Sequence, residues 1–114
     1  MSRHMRRMTP QLALVLRQAA AAGREWYGRE LVEVTGLPDG TVYPILARME
    51  QRGFIVSRWE TSDERASERR GGACRRYYRV TGAGLGAAAA AAEAASGRGV
   101  DRTAPAPWPE QAAP

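Results

Sequence analysis

The sequence has no lysine, a single cysteine, a single histidine and no long apolar run, and each absence excludes a class of protein. One cysteine, Cys74, cannot form an internal disulfide, and with only His4 beside it no protein-ligated zinc site can be assembled. No stretch approaches the roughly 18 apolar residues of a membrane span. The N-terminus also lacks the apolar core of a signal peptide, so a cytoplasmic protein with no membrane partner is expected. No set of nucleophile, base and orienting group can be named, and no glycine-rich phosphate motif follows a strand. These absences point to a binding module rather than an enzyme, working without a cofactor or metal.

What is present is charge of one kind. The seventeen cationic side chains are all arginine, against twelve acids, for a net charge of +5 and a pI near 10.3. That balance calls for an anionic partner. The missing lysine, in a chain so rich in alanine, fits a GC-rich coding bias better than a functional demand for guanidinium. At 114 residues there is room for one small domain with a modest core, plus a tail.

Residues 1–8 place Arg3, His4, Arg6 and Arg7 among three methionines and read as a mobile basic arm. Thr9-Pro10 is a helix start, with Thr as N-cap and Pro at the first helical position. Leu12, Val15, Leu16 and Ala19 then recur at i, i+3, i+4 and i+7 as far as Gly23, with Leu14 off that stripe and facing a second surface. Trp26 and Tyr27 lead into a short helix, Gly28 to Thr35, whose inward pair is Leu31 and Val34. Gly36 ends it as a left-handed residue, and Gly36 to Pro38 forms a tight turn.

The stretch after this turn organises the rest. Val42, Ile45, Leu46 and Met49 again mark an apolar stripe, so Gly40, Thr41, Pro44, Ala47, Arg48 and Gln51 face outward with Tyr43 on the flank. An outer face that is small, polar and basic suits close approach to a groove. A solvated amphipathic helix is the plainer alternative. Asp39 or Thr41 is expected as the cap, because a helix interior would make Pro44 cost about 3 kcal/mol while the first turn tolerates it; the helix is therefore expected over 40–52.

Phe54 to Trp59 is rich in β-formers, Thr61 to Cys74 reads as a polar loop, and Arg75 to Val80 reads as the returning strand. Together they make a β-hairpin wing. Between Arg58 and Arg79 the sequence carries seven arginines against Glu60, Asp63, Glu64 and Glu68. Thr81 to Ser96 is an alanine helix with Leu85 as its one large apolar side chain. Residues 97–114 mix Pro, Ala and scattered charge and read as a disordered tail, with Trp108 given no role. The expected fold is mainly α with a small β-hairpin: a three-helix winged helix-turn-helix over 9–81, then a C-terminal Ala-rich helix over 82–96.

These residues resemble the PadR family of bacterial winged helix-turn-helix regulators. Four stretches carry the resemblance: Tyr27-Gly28-Arg29-Glu30-Leu31; Thr35-Gly36-Leu37 with Gly40 through Glu50; Trp59-Glu60; and Arg75-Arg76-Tyr77-Tyr78-Arg79-Val80-Thr81. The resemblance covers about residues 9–86. It implies a homodimer on operator DNA, usually repressing, in some members released by a small molecule. The short region after Thr81 resembles the short subclass, in which the last helix and helix 1 pair two copies. That implication puts Leu14, Leu85, Ala88 and Ala92 at a dimer seam. Two departures stand out: Gly71-Gly72-Ala73-Cys74 replaces the family's Gly-Arg-Pro, and alanines replace larger apolar residues in the last helix.

For duplex DNA the candidate contacts are Thr41, Tyr43 and Pro44, with Arg48 on a base or phosphate, and Arg69, Arg70, Arg75 and Arg76 from the wing. A second reading is a repressor that senses an aromatic ligand held by Trp26, Trp59 or the dimer seam. A third is a protein-interaction winged helix with a merely solvated basic face. Cys74 beside Arg75 and Arg76 reads as a spectator loop cysteine; the alternative is a thiolate activated for redox sensing.

Overall fold

Residues 8–97 and 107–108 are described in the computed structural model of the chain. Helix α1 spans Pro10–Ala21, strand β1 Trp26–Tyr27, α2 Gly28–Thr35, α3 Asp39–Gln51 and β2 Ile55–Trp59; α4 spans Ser62–Ser67, β3 Arg76–Val80 and α5 Gly82–Gly97. The architecture is mainly helical with a small three-stranded antiparallel sheet, as expected of a winged helix. The proposed basic arm, apart from Met8, and most of the tail lie outside the described residues.

Each helix follows its local chemistry. Thr9 Oγ1 accepts from the Leu12 N–H at 3.1 Å with Pro10 in the first turn, and the α1 stripe is buried. Gly36 caps α2 at φ +72°, the left-handed geometry that any side chain would strain. Helix α3 buries Val42, Ile45, Leu46 and Met49 against α1, Leu31 and Ile55.

Three local readings need correction. Helix α3 begins at Asp39, with Pro38 rather than Asp39 or Thr41 in the cap position, so Pro44 lies inside the helix. Gly40, whose carbonyl an amide at position 44 would have bonded, is exposed, so that carbonyl is not stranded in the core. The wing connection, expected as a loop, holds the helical turn α4. Thr61 Oγ1 accepts from the Glu64 N–H at 3.1 Å and Glu64 Oε1 from the Thr61 N–H at 2.8 Å, a reciprocal capping box. The sheet also has a third strand, since Trp26 pairs with Tyr78 and Tyr27 with Tyr77, giving the order β1-β3-β2.

That pairing sorts the sheet's side chains. Trp26 is fully buried and stacks on Tyr78 with centroids 5.0 Å apart. Tyr27 meets Tyr77 edge-on at 5.9 Å. Helix α5 packs along α1 through Ala88 and its neighbours, where small side chains permit a close approach. Its start is fixed from both sides. Thr81 Oγ1 donates to the Gly53 carbonyl at 2.6 Å and accepts from the Gly84 N–H at 3.1 Å, and a Cβ on Gly84 would run into the Phe54 carbonyl.

Candidate nucleic-acid interface

The helix-turn-helix holds α3 with its outer face uncovered. Gly40, Tyr43, Pro44, Ala47, Arg48 and Gln51 are exposed and Thr41 is half-buried. Among the described residues the Arg48 side chain has no hydrogen-bond or ion-pair partner, so its guanidinium is available. Tyr43 is turned aside: its ring lies against α2, so close to Gly28 that a Cβ there would sit 2.6 Å from Cε1 and the hydroxyl. Only glycine permits that approach.

The wing is a bonded construction rather than a loose basic loop. Arg58 is its clamp, bidentate to Glu25 through Nε at 2.9 Å and Nη2 at 2.8 Å, and to Glu64 through Nη1 at 3.0 Å and Nη2 at 2.8 Å. Its guanidinium also lies 5.0 Å from the centroid of Tyr77. Hydrogen bonding to Arg58 brings the Glu64 pKa down to about 2 and lowers that of Glu25. Glu60 is buried and accepts from the Arg75 N–H at 3.0 Å and from the Arg70 guanidinium. Burial pushes the Glu60 pKa up, but these donors outweigh it and leave the carboxyl below its ordinary value.

The four wing arginines named from sequence therefore differ in what they can reach. Arg70 is held by Glu60. Arg75 pairs with Glu68 at 3.0 Å and lies 4.0 Å from the centroid of Tyr27. Arg76 donates to Ser57 Oγ at 3.0 Å, lies 3.8 Å from Glu50 and stacks over Trp59 at 4.9 Å. Arg69 is exposed, and its side chain has no partner among the described residues. It sits at φ +55° in the turn closing α4, where its N–H bonds Ala66 and that of Arg70 bonds Arg65. This is the Schellman pattern with arginine in the usual glycine position.

Helix and wing meet at a cleft of about 280 Å³ lined by Tyr27, Gly28, Arg29, Tyr43, Cys74, Arg75, Arg76 and Tyr78. Its lining carries three arginines and no carboxylate, and each of the three pairs with a carboxylate outside it, Arg29 with Asp39 at 3.5 Å, Arg75 with Glu68 and Arg76 with Glu50. The structure thus brings Tyr43, Arg75 and Arg76 together and adds Arg29, while Arg48 and Arg69 do not line it. Cys74 accepts from Arg65 Nη1 at 3.1 Å and is exposed. Sequence reading missed Arg29, Arg58, Glu60 and Glu64 as organisers. Only the Thr61-to-Glu64 capping box left a local signal; Glu25 and Arg58 are 33 residues apart.

The remaining candidates are placed as follows. Leu14 and Leu85 are exposed at 36% and 52%, while Ala88 is buried in the chain's own core against α1 and Ala92 is half-buried. Trp26 is a core residue, whereas Trp59 is 59% exposed on the wing, so the two do not line a common pocket. Among the described residues no helix is long and apolar enough to cross a membrane.

A family model described as transcriptional regulator PadR-like matches residues 24–90. Among solved structures, a transcriptional regulator from Clostridium thermocellum is similar at 19% identity and a TM-score of 0.62, covering 87% of this chain and 90% of that one. A PadR family regulator from Clostridium difficile R20291 matches at 23% identity and 0.60, covering 76% and 90%. One from Eggerthella lenta matches at 26% and 0.54, covering 77% and 73%. No curated protein matches the sequence.

Proposed function

The chain belongs to the PadR-like family of transcriptional regulators, not of enzymes, and from that premise we propose that it is a cytoplasmic repressor binding a two-fold DNA operator as a homodimer. The observation that carries this reading is the uncovered outer face of α3, whose Arg48 has no hydrogen-bond or ion-pair partner among the described residues. Helix α3 enters the major groove, where Arg48 bonds a base edge or phosphate and Thr41, Tyr43 and Pro44 set the approach. Arg69 reaches the backbone from the wing, and Arg29, Arg75 and Arg76 receive a phosphate at the cleft. Leu14 and Leu85, large apolar side chains left exposed on α1 and α5, support pairing of two copies.

Selection from random duplexes followed by footprinting tests the proposal. Two protected half-sites are expected about 10 to 10.5 base pairs, or a multiple, apart. The logarithm of affinity should fall with that of salt at a slope of about −0.9 per neutralised phosphate. A single half-site held by a monomer removes the dimer, and an affinity indifferent to salt removes the electrostatic account.

A further inference from the structure

The three arginines of the cleft are held in different ways. Arg75 gives Nη1 to Glu68 at 3.0 Å and to the Tyr77 hydroxyl at 3.3 Å, and Arg29 gives Nη2 to Asp39 at 3.5 Å. Arg76 is held at Nε and by its face. Its Nε donates to Ser57 Oγ at 3.0 Å, and the guanidinium carbon lies 4.9 Å from the ring centroid of Trp59, its neighbour across the strands. Glu50 Oε2 is 3.8 Å from Nη2, close enough for an ion pair and too far for a hydrogen bond. Nη1 and Nη2 of Arg76 therefore have no hydrogen-bond partner among the described residues.

The contacts that hold Arg76 begin on α3. Glu50 lies in the last turn of that helix, where the carbonyl end disfavours a carboxylate. There its Oε2 accepts from the Ser57 hydroxyl at 2.6 Å. A hydroxyl has one proton to give, so with that proton on Glu50 a lone pair is left to take the Arg76 Nε–H. Glu50 thus sets the direction of the hydroxyl, the hydroxyl sets Nε, and Trp59 sets the plane of the guanidinium. A guanidinium anchored at Nε and on one face keeps its Nη1–Nη2 edge, which can bond a phosphate through two parallel N–H groups. Ordering so long a side chain before binding removes part of the entropy cost of association.

We propose that Glu50 is a positioning residue for DNA recognition, which through Ser57 presents the Arg76 guanidinium to one backbone phosphate beside α3. The proposal rests on the DNA-binding reading above. It gives a carboxylate, on the helix that enters the major groove, a role that favours binding. Net charge alone demands the opposite, since removing an anion from a surface that faces DNA strengthens binding when only charge counts. The sign of the effect therefore separates positioning from charge.

The test is titration of the intact chain and its variants with the duplex recovered by selection. Glu50→Ala should weaken binding by at least about tenfold, because the fork is no longer ordered beforehand. Glu50→Gln, whose amide oxygen still accepts from Ser57, should stay within about threefold of the intact chain. In an Arg76→Ala background the Glu50→Ala change should shift affinity by less than about threefold, because the two residues act as one unit. Unchanged or tighter binding by Glu50→Ala, a Glu50→Gln loss equal to that of alanine, or an equal loss with and without Arg76 overturns the proposal. Should Glu50→Ala fail to fold, Ser57→Ala cuts the same relay without altering α3 and is expected to show the tenfold loss. Without DNA, 15N NMR of the intact chain should show the Arg76 Nε–H exchanging with solvent more slowly than that of Arg48. Equal rates overturn the positioning itself, whereas a protected Nε–H in a chain that binds no duplex removes the DNA-binding reading on which the proposal rests.

Discussion

The outer face of helix α3 and the wing both carry arginine, yet they hold it differently. Helix α3 presents Arg48 with no partner among the described residues, whereas the wing binds Arg58, Arg70, Arg75 and Arg76 into pairs with Glu25, Glu64, Glu60, Glu68 and Glu50. Counting arginines therefore overstates the charge that the wing can offer a phosphate. The pairs fix the hairpin's shape, and the cation at its bend, Arg69, remains outside them. One region supplies a free contact on a rigid bed; the other spends most of its cations on becoming rigid.

Removing the bed under α3 should have the largest effect. Leu46→Ala deletes a fully buried side chain between α1 and α3 and is expected to cost about 2–5 kcal/mol of stability. Thermal unfolding should show it, with the midpoint falling by roughly 4–8 °C per kcal/mol for a domain of this size. A change under about 0.5 kcal/mol would contradict the packing described.

Next comes the free contact itself. Arg48→Ala should leave the melting temperature nearly unchanged, because the side chain is exposed and unpartnered, while weakening specific DNA binding by about 1–3 kcal/mol. Arg75→Ala should lower both, loosening the wing through Glu68 and Tyr27 as well as removing a phosphate contact at the cleft. If both variants lowered affinity alike without touching stability, the contrast between the two regions would be lost.

Acid should loosen the wing before α3. Glu25 and Glu64 both have folded pKa values below 4.5, that of Glu64 at about 2, through hydrogen bonding to Arg58. A depressed carboxylate contributes stability that is present above its unfolded pKa and lost as pH falls through the folded value. The Arg58 clamp should therefore weaken between about pH 4.5 and 2, seen in amide resonances of α4 and β2. The α3 resonances, whose core carries no carboxylate among its buried apolar residues, should change later.

The smallest effect separates stability from binding within one residue. Arg69→Gly relieves a left-handed backbone conformation that disfavours side chains by about 1–2 kcal/mol, in part offset by the added freedom of the unfolded chain. Stability should rise by up to about 1 kcal/mol while the salt slope of DNA binding shrinks by about one phosphate. A stability gain with an unchanged slope would leave Arg69 a purely structural residue.

Much of the helical scaffold was legible because its determinants lie within a few turns of each other. Thr9-Pro10, the apolar stripes of α1 and α3, and Gly36 at the end of α2 act on their immediate neighbours, and the folded chain uses them as read. The misreadings arose where distant chain intervened. Two residues of β1 are too short for any periodicity and exist as a strand only because β3 pairs with them. Intrinsic cost alone puts Pro44 in a first turn, whereas the exposure of Gly40 lets it sit inside the helix. The capping box of α4 was local and readable, but its polar surroundings masked it.

From the sequence alone came the helix-turn-helix, the inward faces of its helices, the wing and the family resemblance, because apolar spacing, caps and turn residues are local. Only the tertiary structure decided which arginines stay free, that Gly28 makes room for Tyr43, that three arginines share a cleft, and that Trp108 docks beside Trp26. Those outcomes depend on pairings across 6 to 90 residues, and the energy of each depends on what packing leaves buried or exposed, which no local pattern encodes.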